Sequence, residues 1–78
     1  MTMTVKTQNG TQFMFTQKDG KTFFQKGLLS GEVIRINPIT IGEVIDMDFY
    51  KDHIYGGIEE HSMYLRSSPV AEISVKLI

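Results

Sequence analysis

This 78-residue chain contains no cysteine, which excludes disulfides and thiolate metal sites and fits a reducing cytoplasm. No stretch approaches the ~18 consecutive apolar residues that a membrane-spanning helix needs. The opening MTMTVKTQNG lacks the basic-then-apolar order of a secretory leader, so the Asn9-Gly10-Thr11 sequon is expected to stay unmodified. A net charge of −1 provides no global attraction to nucleic acid or to anionic membrane. There is no Gly-x-Ser-x-Gly elbow, no phosphate-cradling glycine loop and no dinucleotide fingerprint.

The charge that is present is unevenly spread. Residues 1–36 carry Lys6, Lys18, Lys21, Lys26 and Arg35 against Asp19 and Glu32. Residues 37–78 carry only Lys51, Arg66 and Lys76 against Glu43, Asp46, Asp48, Asp52, Glu59, Glu60 and Glu72. The basic first half and acidic second half are expected to form two faces of one small domain.

No segment holds a helical period, whereas several alternate with period two. Thr4–Thr7 and Gln12–Thr16 flank Asn9-Gly10, and Lys18-Asp19-Gly20-Lys21 supplies a second turn into Thr22–Lys26. Phe23 and Phe24 are adjacent, so they point to opposite faces. Further strands are expected at Glu32–Ile36, Glu43–Lys51, Ser62–Arg66 and Val70–Ile78, with Asn37-Pro38 and Ser67-Ser68-Pro69 as interruptions. Six or seven short, mostly antiparallel strands at this spacing predict an all-β, single-domain rolled barrel, SH3-like or OB-like, over residues 1–78. The predicted core is Phe13, Phe15, Ile34, Ile36, Ile45, Met47, Phe49, Leu65, Ile73 and Val75, with Ile73, Val75 and Leu77 sharing a face.

One phrase occurs twice: Gly31-Glu32-Val33-Ile34-Arg35-Ile36 and Gly42-Glu43-Val44-Ile45-Asp46-Met47. A folded repeat needs about 20 residues or more per unit, so the echo reads as two strands that begin alike. Glycine permits the turn, glutamate starts the strand in water, and the isoleucine enters the core. On the outward face Arg35 in one copy is replaced by Asp46 in the other.

Three chemistries deserve weighing. His53, Glu59, Glu60 and His61 include metal-ligand types, but no HExxH-like spacing joins them, and they read as a polar loop without metal or cofactor. Lys18, Lys21, Phe23 and Lys26 interleave base-stacking and phosphate-binding side chains, the pattern of a single-strand nucleic-acid binder. Asp46, Asp48, Tyr50, Asp52, Glu59 and Glu60 form the preferred candidate, an acidic face that docks a basic protein surface or imitates nucleic-acid phosphates. The sequence therefore reads as a non-enzymatic binding module with a protein partner. The alternatives are single-stranded nucleic acid and a self-assembling structural role, since a small β domain also protects its edges by pairing with a second copy.

The ending Arg66-Ser67-Ser68-Pro69-Val70-Ala71-Glu72-Ile73, after a strand of Gly-Glu-x-Ile type, resembles small uncharacterised proteins of phages and mobile elements of Gram-positive bacteria. The likeness runs through Ile41–Phe49 and Arg66–Ile73, and Ser67 stands where that ending has threonine. It implies a compact accessory protein, acting in the bacterial host cytoplasm, that inhibits a host factor. No functional residue is carried over by it.

Overall fold

A computed structural model describes residues 1–51 and 62–77, and its strands form a closed antiparallel barrel. They are β1 (Thr2–Thr7), β2 (Gln12–Lys18), β3 (Lys21–Lys26), β4 (Leu29–Ile36), β5 (Val44–Lys51) and β6 (Met63–Lys76). Each strand pairs with its neighbour in sequence, and β6 returns to pair with β1. The all-β rolled barrel expected from the alternation is present, with six strands and no helix among the described residues.

Hairpin chemistry sets the first three strands. Thr7 and Thr11 close the first loop through Thr7 N–H to Thr11 O at 2.8 Å, and Gly10 N–H bonds back to Thr7 O at 2.9 Å. The buried Thr7 hydroxyl donates to Asn9 Oδ1 at 2.5 Å, which also accepts Thr11 N–H at 3.2 Å. Asp19 and Gly20 both have positive φ, 54° and 75°, and make the two-residue turn between paired Lys18 and Lys21.

The core consists of Val5, Phe13, Phe15, Phe24, Ile45, Met47, Phe49 and Val70, all buried. Cross-strand pairing stacks it in rows: Val5 beside Phe13, Phe15 beside Phe24, and Met47 between Ile36 and Leu65. Phe24 meets Phe49 edge-to-face at 4.7 Å between ring centres. That geometry adds about 0.5–1.5 kcal/mol to the apolar burial of the pair. As the adjacency predicts, Phe23 takes the other face and is half-buried.

Three predicted core residues are corrected. Ile34 is 46% exposed, because a bulge puts Val33 opposite Phe49 and Arg35 opposite Asp48, leaving Ile34 as the extra residue. The inward phase of β4 therefore changes within the strand, and Val33 and Ile36 pack on the core instead. Ile73 and Val75 do lie on the inward face, opposite Val5 and Met3, but are 36% and 51% exposed. Past Pro69 β5 no longer pairs with β6, so among the described strands only β1 flanks Ile73 and Val75.

The interruption expected at Ser67-Ser68-Pro69 is a bend inside one 14-residue strand, so the two strands predicted there are one. β6 spends three residue steps from Arg66 to Pro69 against two on β5, then two from Val70 to Glu72 against one on β1. Two extra residues so close together turn the strand through the barrel corner. The proline fits there because its neighbours take over the pairing: Pro69 O accepts Gln8 N–H, and Val70 N–H donates to Glu43 O, both at 2.8 Å.

The doubled phrase adopts two different structures. Gly31 lies within β4 where the strand passes from β3 to β5, and a Cβ there would run into the Tyr50 carbonyl. Gly42 lies before β5 with φ of +92°, in a turn that a side chain would strain. The isoleucine at the fourth position is exposed in the first copy and fully buried in the second, so the expected equivalence holds only for Ile45.

Candidate functional site

The outward face of β4, β5 and β6 carries the densest side-chain network of the described residues. Period-two alternation sends Ile45, Met47 and Phe49 inward, and therefore Asp46, Asp48 and Tyr50 outward. The bulge at Ile34 returns Arg35 to this same outward face, directly opposite Asp48. On the other side Tyr64 stands opposite Asp48, and Arg66 opposite Asp46.

Arg35 holds both aspartates. Its Nε donates to Asp48 Oδ2 at 2.8 Å, and its Nη2 donates to Asp46 Oδ1 at 2.7 Å. The second oxygen of Asp46 accepts the Tyr64 hydroxyl at 2.6 Å. All of these groups are open to water: the Arg35 side chain is 52% exposed and Tyr64 57%. The hydrogen bond from Tyr64, and then that from Arg35, hold the Asp46 carboxyl below its usual 3.8. Reciprocally, the bond to Asp46 raises the Tyr64 phenol above 10.0, and the two aspartates raise the Arg35 guanidinium.

Backbone support comes from beneath. Asn37 donates Nδ2 to Val44 O at 2.8 Å and accepts Asp46 N–H on Oδ1 at 2.9 Å. Ser67 Oγ accepts Ile45 N–H at 2.9 Å from the opposite side and donates to Ser68 O at 2.7 Å. Side chains thus replace missing ladder bonds on both edges of β5 at the place where the carboxylates emerge.

Of the six residues predicted for an acidic contact face, Asp46, Asp48 and Tyr50 are brought together. Asp52, Glu59 and Glu60 lie outside the described residues, as do His53 and His61. The aspartates do not present a row of unneutralised charge, because Arg35 sits between them and Arg66 beside them. That charge pairing gives little physical support to phosphate imitation. Sequence reasoning missed Arg35, Tyr64 and Arg66 as members of the face. One signal was available for Arg35, namely its opposite sign to Asp46 at the same place in the doubled phrase.

The nucleic-acid candidates separate in space. Lys18, Lys21 and Phe23 point outward near and along the second hairpin, whereas Lys26 takes the inward phase with its ammonium 6.0 Å from the centre of the Phe13 ring. Phe13, Phe15 and Phe24 are spent on the core, which leaves Phe23 as the one phenylalanine of the first three strands on the outward face.

An apolar cleft of about 470 Å³ opens between Met1, Met3, Phe15, Ile36, Pro38 and Ile39. Its lining includes no titratable side chain, and the amide of its Asn37 is committed to β5. Among the described residues no three His, Cys, Asp or Glu side chains cluster as a metal site, and no helix is long and apolar enough to cross a membrane. No protein-family model, curated protein or solved structure matches the chain.

Proposed function

We propose that this chain is a non-enzymatic protein-binding module whose contact surface is the outward face of β4–β5–β6, centred on Asp46, Asp48, Tyr50 and Tyr64. The observation that carries this reading is the Arg35 network, an exposed set of side chains held in one arrangement by bonds of 2.6–2.8 Å. Exposed ion pairs add little to stability, so ordering the surface before a partner arrives is the larger benefit. Tyrosine and arginine are also the side chains that anchor protein interfaces, since each joins apolar area to a polar group. Asp46, Asp48 and the neighbouring Glu32 outnumber Arg35 and Arg66 on this face, which favours a partner surface carrying lysine or arginine.

In this reading the protein acts in a bacterial cytoplasm as an accessory protein of a phage or mobile element that inhibits a host protein. The test is capture from a Gram-positive bacterial lysate by the wild-type chain and by a Tyr50→Ala/Tyr64→Ala variant with an unchanged circular dichroism spectrum. A host protein held by the wild type and lost by the variant is the expected result. Equal capture by both removes this face from the proposal.

A further inference from the structure

Among the described strands each half of the bent β6 has one partner, with Val70 at the corner also bridged to Ile41. Residues 63–69 pair with β5 and residues 70–76 with β1; no described strand pairs with the outer edge of residues 72–76. The direction of that edge's hydrogen-bonding groups follows from β1. Thr7 N–H bonds to Thr11 on β2, and the β1–β2 register is unbroken, so odd residues of β1 turn their backbone groups to β2 and even ones to β6. Lys6, Thr4 and Thr2 stand opposite Glu72, Ser74 and Lys76. The backbone groups of Ile73 and Val75 therefore point outward along the free edge.

This edge has the features that association requires. It is apolar on the inward face, with Ile73, Val75 and Leu77 at 36%, 51% and 76% exposure. Its other face carries one acid and one base, Glu72 and Lys76, placed symmetrically about Ser74. An open edge of this kind is a template for pairing with another strand.

We propose that two copies of the chain pair antiparallel along residues 71–77 of β6, with the two-fold axis at Ser74. Among neighbouring registers that match outward backbone groups, this one alone sets Glu72 opposite the partner's Lys76, twice by symmetry. A shift to centre on Ile73 sets Glu72 against Ser74, and one to centre on Val75 sets Lys76 against Ser74; neither brings the two charges together. In the proposed register Ile73 and Val75 of one copy face Val75 and Ile73 of the other as hydrogen-bonded pairs. Glu72 and Lys76 occupy the closer, non-hydrogen-bonded positions, where cross-strand side chains interact most strongly. The two barrels then share one sheet, and their exposed apolar rows lie side by side as cross-strand neighbours. Glu72 is available for this contact, since its bridge to Lys6 is 3.9 Å long and both side chains are exposed.

Sedimentation equilibrium over the micromolar range tests the proposal. The wild type is expected at twice the chain mass. Glu72→Lys and Lys76→Glu each place like charges opposite one another and should weaken the dimer about tenfold or more. The double reversal Glu72→Lys/Lys76→Glu restores opposite charges and wild-type strength. An equimolar mixture of the two single variants should form a heterodimer, which a mere loss of stability in either variant does not produce. Val75→Pro provides an independent check, because it deletes an N–H that points to the free edge and leaves the β1 ladder intact. A wild type that stays at the mass of one chain overturns the proposal. So does a dimer that both single charge variants leave at wild-type strength.

Discussion

Arg35 stands directly across the β4–β5 ladder from Asp48 and reaches diagonally to Asp46, so one guanidinium joins two carboxylates that lie two residues apart on the same strand. The bulge at Ile34 sets this pairing, since a regular continuation of the Gly31–Val33 phase would turn Arg35 inward.

The network has a defined pH response. The Asp46 carboxyl is depressed, so its contribution to folding is complete above the unfolded carboxyl value of about 3.9 and disappears as pH falls through the lower folded value. A carbon-detected titration of Asp46 should show its midpoint below 3.8, and Tyr64→Phe should move that midpoint upward. The Tyr64 phenol is raised, so the bond it makes is complete below about pH 10 and is lost as pH rises through its folded value. A late component of the tyrosinate absorbance rise above pH 10 that Tyr64→Phe removes is the corresponding signature.

Gly31 should tolerate no side chain. Adding a Cβ drives it against the Tyr50 carbonyl of the paired strand, where backbone on both sides has little room to shift. Gly31→Ala is expected to cost about 1–3 kcal/mol in urea unfolding, the range for overpacking a core position.

The two isoleucines of the doubled phrase should respond very differently. Ile45 is fully buried, and Ile45→Ala should cost about 2–5 kcal/mol. Ile34 bulges into solvent, and Ile34→Ala should fall within about 0.5 kcal/mol of wild type, as surface substitutions do. Denaturant midpoints of the two variants decide the matter.

Much of this arrangement was legible in the sequence. The alternation of Val44–Lys51, the glycine turns and the phenylalanine pairs identify an all-β barrel, and β5 alone places Asp46, Asp48 and Tyr50 on one outward face. What escaped is where alternation breaks. A bulge leaves no compositional mark at Ile34, and Ser67-Ser68-Pro69 has the composition of a loop although the chain there is a paired strand. Val5 and Val70 joined the core because closure brings β6 back to β1, which local periodicity does not report.

Asn37 and Ser67 were legible only as punctuation, yet each satisfies a backbone donor of β5. Asn37→Ala removes the acceptor of Asp46 N–H, and Ser67→Ala removes that of Ile45 N–H. Each should cost about 1–3 kcal/mol, the penalty for leaving a desolvated donor unpaired. Amide hydrogen exchange at Ile45 and Asp46 should accelerate in the matching variant and remain slow in the other.

The bent β6 also governs how fast the chain can fold. The hairpins joining β1, β2 and β3 form from contacts near in sequence, but the barrel closes only when Thr2 meets Lys76 across nearly the whole chain. Closing so long a loop carries its entropic cost before any contact repays it. Destabilising changes on the β1–β6 ladder should therefore slow folding, which stopped-flow refolding of Val5→Ala would read. The strand that turns the corner is thus also the latch of the barrel, and its timing sets the lifetime of the open sheet.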